Sequence, residues 1–396
     1  MDKKPDDIIC LSERRRQRLL LDYDLPKELK IKVAANRPEW LAAYELLHDV
    51  YVDAGYAKPN AARIRLNPYH LLPGTTTFIA YWNDQVIATL STITDSPLGL
   101  PADKAFDLSS YRKKFSRISE ASGLAIKKDF RGHHGQILFP VIKYLYHFCL
   151  NYTYSDSLII AVNPKQDHFY RDIMLYNEIK QPTHEQYEFA NQAPAIGKFI
   201  DFSNPLDLYG QVYSDKPKEQ NLHRYLFEET FSQLIFPEKK GPLAYWPTLS
   251  AEDLDYLLNG PSSLRNTMTD KDLVNLASVY RLEEYKPVFG DMAVYDNRRR
   301  DQRYDVKMVA RAGGSLVPIR QVSRGGLRID IPSGLNASGS IDLVVRVNDK
   351  HEVHLRLNPR FRQGHSLGLA IDGKSTEWEQ VIDELDSDFR QKPKVA

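Results

Sequence analysis

The feature that most constrains this chain is a change of hydrophobic period along its length. Up to about residue 208, strand-like and helix-like stretches alternate. From Arg298 onward the pattern turns to short strand-like runs, closed by one helix-like stretch. Alternation of the two periods implies an α/β layer structure, whereas evenly spaced short strands imply a barrel or sandwich. The 396 residues are long enough for two or three such units. The fold expected is therefore α/β (α+β). A mixed sheet with flanking helices comes first, then a helical connector, then a six-stranded β-barrel. The expected boundaries are a polar lead-in over 1–26, an α/β domain over 27–215, a connector over 216–293 and the barrel over 294–390.

Within the first unit, Ile31 to Ala35 reads as a strand and Pro38 to Tyr56 as a helix, with Leu41, Tyr44, Leu47 and Val50 on one face. Thr76 to Tyr81 and Val86 to Thr94 read as a hairpin, Ile118 to Ile126 as a strand and Gln136 to Tyr152 as an amphipathic helix. Leu158 to Val162 is a buried-type strand, and Asp167 to Met174 a helix. In the connector, Ser250 to Asp253 and Thr269 to Asp272 are helix-start signals. The later strands are Asp305 to Ala310, Leu316 to Val322, Gly326 to Ile331, Ser340 to Val347, Glu352 to Leu357 and Ser366 to Ile371. A helix from about Ser375 to Leu385 closes the unit.

The formal net charge of +1 makes the molecule as a whole no polyanion binder, so any basic function is local and no nucleic acid polymer is expected as partner. Arg14 to Arg18 form a basic cluster without interleaved aromatics, which reads as a solvated helix face. Two cysteines, Cys10 and Cys149, provide no disulfide framework and no metal spacing. No stretch reaches the roughly 20 apolar residues of a membrane span. With no signal-peptide pattern at the start, the expected location is the cytoplasm.

Chemistry concentrates between Ile118 and Gly135. On a strand, Ile118, Glu120, Ser122 and Leu124 share a face. A carboxyl among apolar neighbours has its pKa raised, which suits a general base near neutral pH. Gly123 permits a bulge whose exposed N–H groups can hold a carbonyl oxygen. Next, Arg131-Gly132-His133-His134-Gly135 opens a helix, an arrangement that suits a phosphate. Pro140, deeper than the first helical position, predicts an irregular start. Glu120 also reads as a structural carboxylate paired with an arginine, and Tyr170 as a core aromatic. His133 and His134 lack a third ligand, so no metal is expected.

The order strand, glycine loop with helix, strand, helix with tyrosine resembles the GNAT acyltransferases. The glycines after Arg131 are displaced from that family's Arg-x-x-Gly-x-Gly/Ala pattern. Five stretches are similar to the long-chain N-acyl amino acid synthases of the FeeM type, relatives of acyl-homoserine-lactone synthases: Tyr51 to Tyr56, His70 to Pro73, Asp95 to Pro101, Ser119 to Ala125 and Ala161 to Pro164. The resemblance implies an acyl-phosphopantetheine thioester donor, on acyl carrier protein or coenzyme A, and an amino acid acceptor. It implies Glu120 as base, with Ser122 beside it, and Tyr170 as the acid that protonates the leaving thiolate. Leu124, Ile126, Arg131, Gly132, His133, His134 and Gly135 would bind the donor arm. Arg63, Arg65 and Arg117 are candidates for holding the acceptor carboxylate.

In the barrel, Arg298-Arg299-Arg300-Asp301-Gln302-Arg303 and Gln321-Val322-Ser323-Arg324-Gly325-Gly326 resemble the PilZ signature, Arg-x-x-x-Arg followed by Asp/Asn-x-Ser-x-x-Gly. The resemblance implies cyclic di-GMP as a regulatory ligand held by Arg298, Arg299, Arg300, Arg303, Gln321, Ser323, Arg324 and Gly326. Gln321 stands where the family has Asp or Asn. Dense arginines suit phosphates and guanine edges. The alternative to a regulated enzyme is a non-catalytic effector, whose α/β domain only binds a carrier or partner.

Overall fold

A computed structural model describes residues 11–132, 135–239, 241–280, 283–290, 292, 301–332, 335, 339–348 and 351–390. In chain order, α1 (Leu11–Arg16) and β1 (Leu29–Val33) are followed by α2 (Arg37–Asp53), β2 (Thr75–Trp82) and β3 (Gln85–Thr94). Then come α3 (Ser109–Lys114), β4 (Ile118–Ile126), α4 (Leu138–Asn151) and β5 (Ser157–Val162). The short β6 (Asn177–Glu178) and β7 (His184–Tyr187) precede β8 (Ala193–Asp201) and α5 (Pro205–Tyr213). These strands, with β9 (Leu234–Ile235), form a nine-stranded mixed sheet in the order β6-β8-β5-β4-β3-β2-β1-β9, with β7 beside β8. β4 and β5 run parallel, as do β1 and β9.

α2 starts where the sequence places it. Asn36 accepts the Glu39 N–H, and Pro38 fills a first-turn position that has no intrahelical acceptor. α4 begins at Leu138, so Pro140 also sits in the first turn and leaves the helix intact. The helix expected over Asp167 to Met174 is instead a 3-10 turn, Pro164–Gln166, and a π-helix, Phe169–Ile173.

The sheet has a core on each face. One joins α4 and α5 to Leu19, Leu21 and Leu25 of the lead-in and to Leu222, Tyr225 and Leu234. Two of the arginines in the basic cluster are therefore not simply solvated. Docking of the lead-in brings Arg15 and Arg16 onto Asp172, the first to its carboxylate and the second to its carbonyl. The other core lies under α2, α6 (Ala251–Asn259), α7 (Asp270–Ala277) and α8 (Lys286–Phe289), with Ile118, Leu254, Leu257 and Tyr280 among its members.

The C-terminal strands β10 (Tyr304–Ala312), β11 (Ser315–Ser323), β12 (Gly326–Asp330), β13 (Ile341–Asn348), β14 (His351–Gln363) and β15 (Ser366–Ile371) close into an antiparallel barrel, β10-β11-β12-β15-β14-β13. α9 (Thr376–Arg390) plugs it with Trp378 and Ile382. The barrel docks on the first domain through polar contacts. Arg117, 5% exposed, pairs with Asp305 at 2.9 Å. Arg320 pairs with Asp156 at 2.8 Å.

Candidate active site

β4 carries the site. Its partner register on β3 jumps from Thr89↔Ala125 to Ser91↔Ser122, so two residues of β4 oppose Leu90 alone. Gly123, at φ +71°, is one of the two. The extra residue reverses the inside–outside alternation beyond it. Ile118 and Leu124 therefore do not share a face as strict alternation predicts. Ile118 lies in the core under α2, while Leu124 and Ile126 pack toward α4.

The second local event is a parting of strands. β4 and β5 pair only from Ile118↔Ser157 to Glu120↔Ile159, although both continue. Beyond Glu120, β4 stays with β3 and β5 with β8. A wedge opens between them, and a cavity of about 290 Å³ fills it.

Glu120 sits at the apex and lines that cavity. It is 2% exposed. Its Oε2 accepts the Ala102 N–H at 2.8 Å, and it forms no ion pair among the described residues. Burial pushes its carboxyl up to about 8, with the Asp103 and Asp95 charges adding and the Ala102 hydrogen bond opposing. Arg112 grips Asp95 and Asp103, each at 2.7 Å. That grip fixes the loop that presents Ala102, a support sequence reading missed.

Ser122 and Leu124 also line the cavity. Tyr170 reaches it from the π-helix and packs edge-on to Tyr176. Burial pushes its phenol up to about 12, so it carries its proton at neutral pH. Ile126, Arg131, Gly132 and Gly135 lie beyond the cavity lining. Arg131 turns back and donates to the Ile126 carbonyl at 2.8 Å. Gly132 and Gly135 both have positive φ and close a turn through the Gly135 N–H. His133 and His134 lie outside the described residues.

The three candidate arginines part company. Arg63 is exposed and pairs with Asp49 at 2.5 Å. Arg117 is committed to Asp305. Arg65 lines the same cavity as Glu120, with its guanidinium 4.8 Å from the Tyr51 ring centre. His70, absent from the sequence candidates, lines it too.

In the barrel, Arg303, Gln321, Ser323 and Gly326 meet around a cavity of about 250 Å³. A Cβ on Gly326 would lie 2.3 Å from the Leu369 carbonyl oxygen, which explains the glycine. Gln321 donates to Asp305 at 3.0 Å, the carboxylate that also holds Arg117. Arg324 is turned toward α9, where it pairs with Asp383. Arg298, Arg299 and Arg300 lie outside the described residues. Arg328 joins the site unforeseen. Its buried Nε has no partner among the described residues, and burial lowers its pKa.

Among the described residues no cluster of three or more His, Cys, Asp or Glu could hold a metal ion. No described helix is long and apolar enough to cross a membrane.

The mixed sheet thus parts around a buried carboxyl, and a protonated phenol lines the same cavity. Residues 42–198, the segment that carries this cavity, match the family model described as N-acyl amino acid synthase FeeM. Among solved structures, the chain is similar to FeeM, an N-acyl amino acid synthase from uncultured soil microbes. Identity is 24% and the TM-score 0.38, over 45% of this chain and 93% of that one. It is also similar to BjaI, a CoA-dependent acyl-homoserine lactone synthase, at 14% identity and TM-score 0.36, over 50% of this chain and 98% of that one. A third likeness is MotI/DgrA, the inhibitor of motility of Bacillus subtilis, at 14% identity and TM-score 0.21, over 24% of this chain and 53% of that one. No curated protein sequence matches the chain.

Proposed function

We propose that this acyltransferase moves a long-chain acyl group from a phosphopantetheine thioester, on acyl carrier protein or coenzyme A, to the amine of an amino acid. The observation that carries the proposal is Glu120, a buried carboxyl without a counter-ion among the described residues, at the apex of the β4–β5 wedge. The donor arm enters the wedge, where β4 residues beyond Glu120 have no β5 partner. The acceptor nitrogen attacks the thioester carbonyl carbon. The Glu120 carboxylate takes the proton that the nitrogen loses as the C–N bond forms. The carbonyl oxygen gains charge, which backbone N–H groups of the bulge at Gly123 receive. The C–S bond then breaks, and the Tyr170 phenol protonates the departing thiolate. The products are an N-acyl amino acid and the free thiol.

Cyclic di-GMP binding at the barrel regulates this activity on the same proposal. Arg303 and Arg328 supply cationic groups, and Gln321 an amide for a guanine edge. Gln321 also shares Asp305 with Arg117, three residues before Glu120. A ligand that draws Gln321 away changes the hydrogen bonding of the carboxylate that anchors the start of β4.

Purified protein incubated with palmitoyl thioesters and mixed amino acids gives N-palmitoyl amino acids by mass spectrometry. Donor binding without product would favour the non-catalytic effector. Calorimetry with cyclic di-GMP should show binding that Arg303→Ala weakens by about tenfold or more. Equal affinity in variant and parent would remove the ligand site.

A further inference from the structure

His70 is 6% exposed. Its Nδ1 accepts the Asn67 N–H at 3.2 Å, which fixes the tautomer with the proton on Nε2. Burial and the neighbouring Arg65 charge hold the ring neutral, with its pKa lowered to about 4. The ring is braced edge-on against Tyr44, 4.8 Å between centres. The Nε2–H has no acceptor among the described residues, and His70 lines the cavity that holds Glu120. A buried donor left without a partner costs about 1–3 kcal/mol, so a bound ligand is the natural acceptor.

Arg65 is a second unmet group in the same cavity. It donates to the Phe189 carbonyl and stacks on Tyr51, but has no carboxylate partner among the described residues. A partly buried cation without an anion is unfavourable, and the cost is relieved when a ligand brings one. Glu120 does not fill that role: the groups that act on the Arg65 charge are Tyr51 and Tyr187, not Glu120. The cavity thus holds a cation, a neutral N–H donor and a carboxyl. A carboxylate and an amine on one small molecule match that pairing.

We infer that Arg65 and His70 form the seat for the α-carboxylate of the acceptor, with the His70 Nε2–H donating to one carboxylate oxygen. The inference rests on the acyl-transfer reading and deepens it. The enzyme selects amino acids over simple amines because only they satisfy both groups. His70 binds the acceptor and takes no proton.

The test compares each acceptor with the amine that lacks only the carboxylate: L-phenylalanine with 2-phenylethylamine, and L-leucine with 3-methylbutylamine. Palmitoyl-CoA or palmitoyl carrier protein serves as donor. The parent should prefer the amino acids. His70→Phe should raise their KM by about 10- to 100-fold. It should change the efficiency with the simple amines less than about threefold and leave the KM for the donor unchanged. His70→Gln, which keeps an N–H donor, should recover part of the loss, and Arg65→Met should remove the same preference. A loss equal on amino acids and amines, or a loss in donor KM, would overturn the seat. Equal use of both acceptors by the parent would overturn it while leaving acyl transfer intact. If the parent acylates neither, the acyl-transfer reading fails. Calorimetric binding of L-phenylalanine or L-leucine that His70→Phe abolishes would then still support the seat, and no binding to the parent would overturn it.

Discussion

Glu120→Gln separates chemistry from packing at the centre of the site. Glutamine has nearly the same shape, and its carbonyl oxygen can still accept the Ala102 N–H. The variant should fold and lose acyl transfer by about 10²- to 10⁴-fold, the usual worth of a positioned base. The structure also gives the sign of a stability effect. Burial raises the Glu120 carboxyl from 4.5 to about 8, a displacement of roughly 5 kcal/mol as an order of magnitude. Between those pH values the folded protein holds the Glu120 proton and the unfolded chain does not. The contribution is therefore fully present below the unfolded value and is lost as pH rises toward 8. The variant has no proton to lose there. Denaturant unfolding of both proteins at steps from pH 4.5 to 8.5 should show the variant gaining on the parent by several kcal/mol. In parallel, parental kcat at fixed free-amine concentration should climb about tenfold per pH unit and level off near pH 8. Stability curves that stay a constant distance apart, together with a flat rate between pH 6 and 8, would refute the buried-base argument.

Other consequences are open to direct measurement. Gly123→Ala forces a Cβ into positive φ and to 3.2 Å from Leu47 Cδ2; thermal unfolding should report a loss of about 1–2 kcal/mol, with slower transfer. Tyr170→Phe should lower kcat by about 10²-fold or more with little change in melting temperature; unchanged turnover would make Tyr170 a packing residue. Arg117→Met strands the Asp305 carboxylate at the domain junction. Chemical denaturation should show a cost of about 3–5 kcal/mol, smaller when Asp305→Leu is present as well.

The barrel was legible because its strands are half-buried. β10 alternates buried and exposed side chains almost without a break, and six strand-like runs in the sequence became six strands. β14 runs on past Leu357 because its exposed second half pairs with β15, a contact no alternation signals. β9 could not be read for the same reason. Two residues carry no period, and their place beside β1 is set by tertiary pairing. In the site, Glu120 stood out as a carboxyl among apolar residues, and Gly123 announced the bulge. What surrounds them did not. Ala102 reaches the site from a distant segment, and Arg63 and Arg65 differ only in which way the fold turns them. A local signal for His70 did exist in the capping turn begun by Asn67 and Pro68, but the unmet Nε2–H appears only once the cavity is built.

The most direct test of the central claim is lipid mass spectrometry on cells that overproduce the parent or the Glu120→Gln variant to the same level. Accumulation of long-chain N-acyl amino acids with the parent and their absence with the variant is the predicted result. The same products at the same level from both would contradict a transfer reaction centred on Glu120.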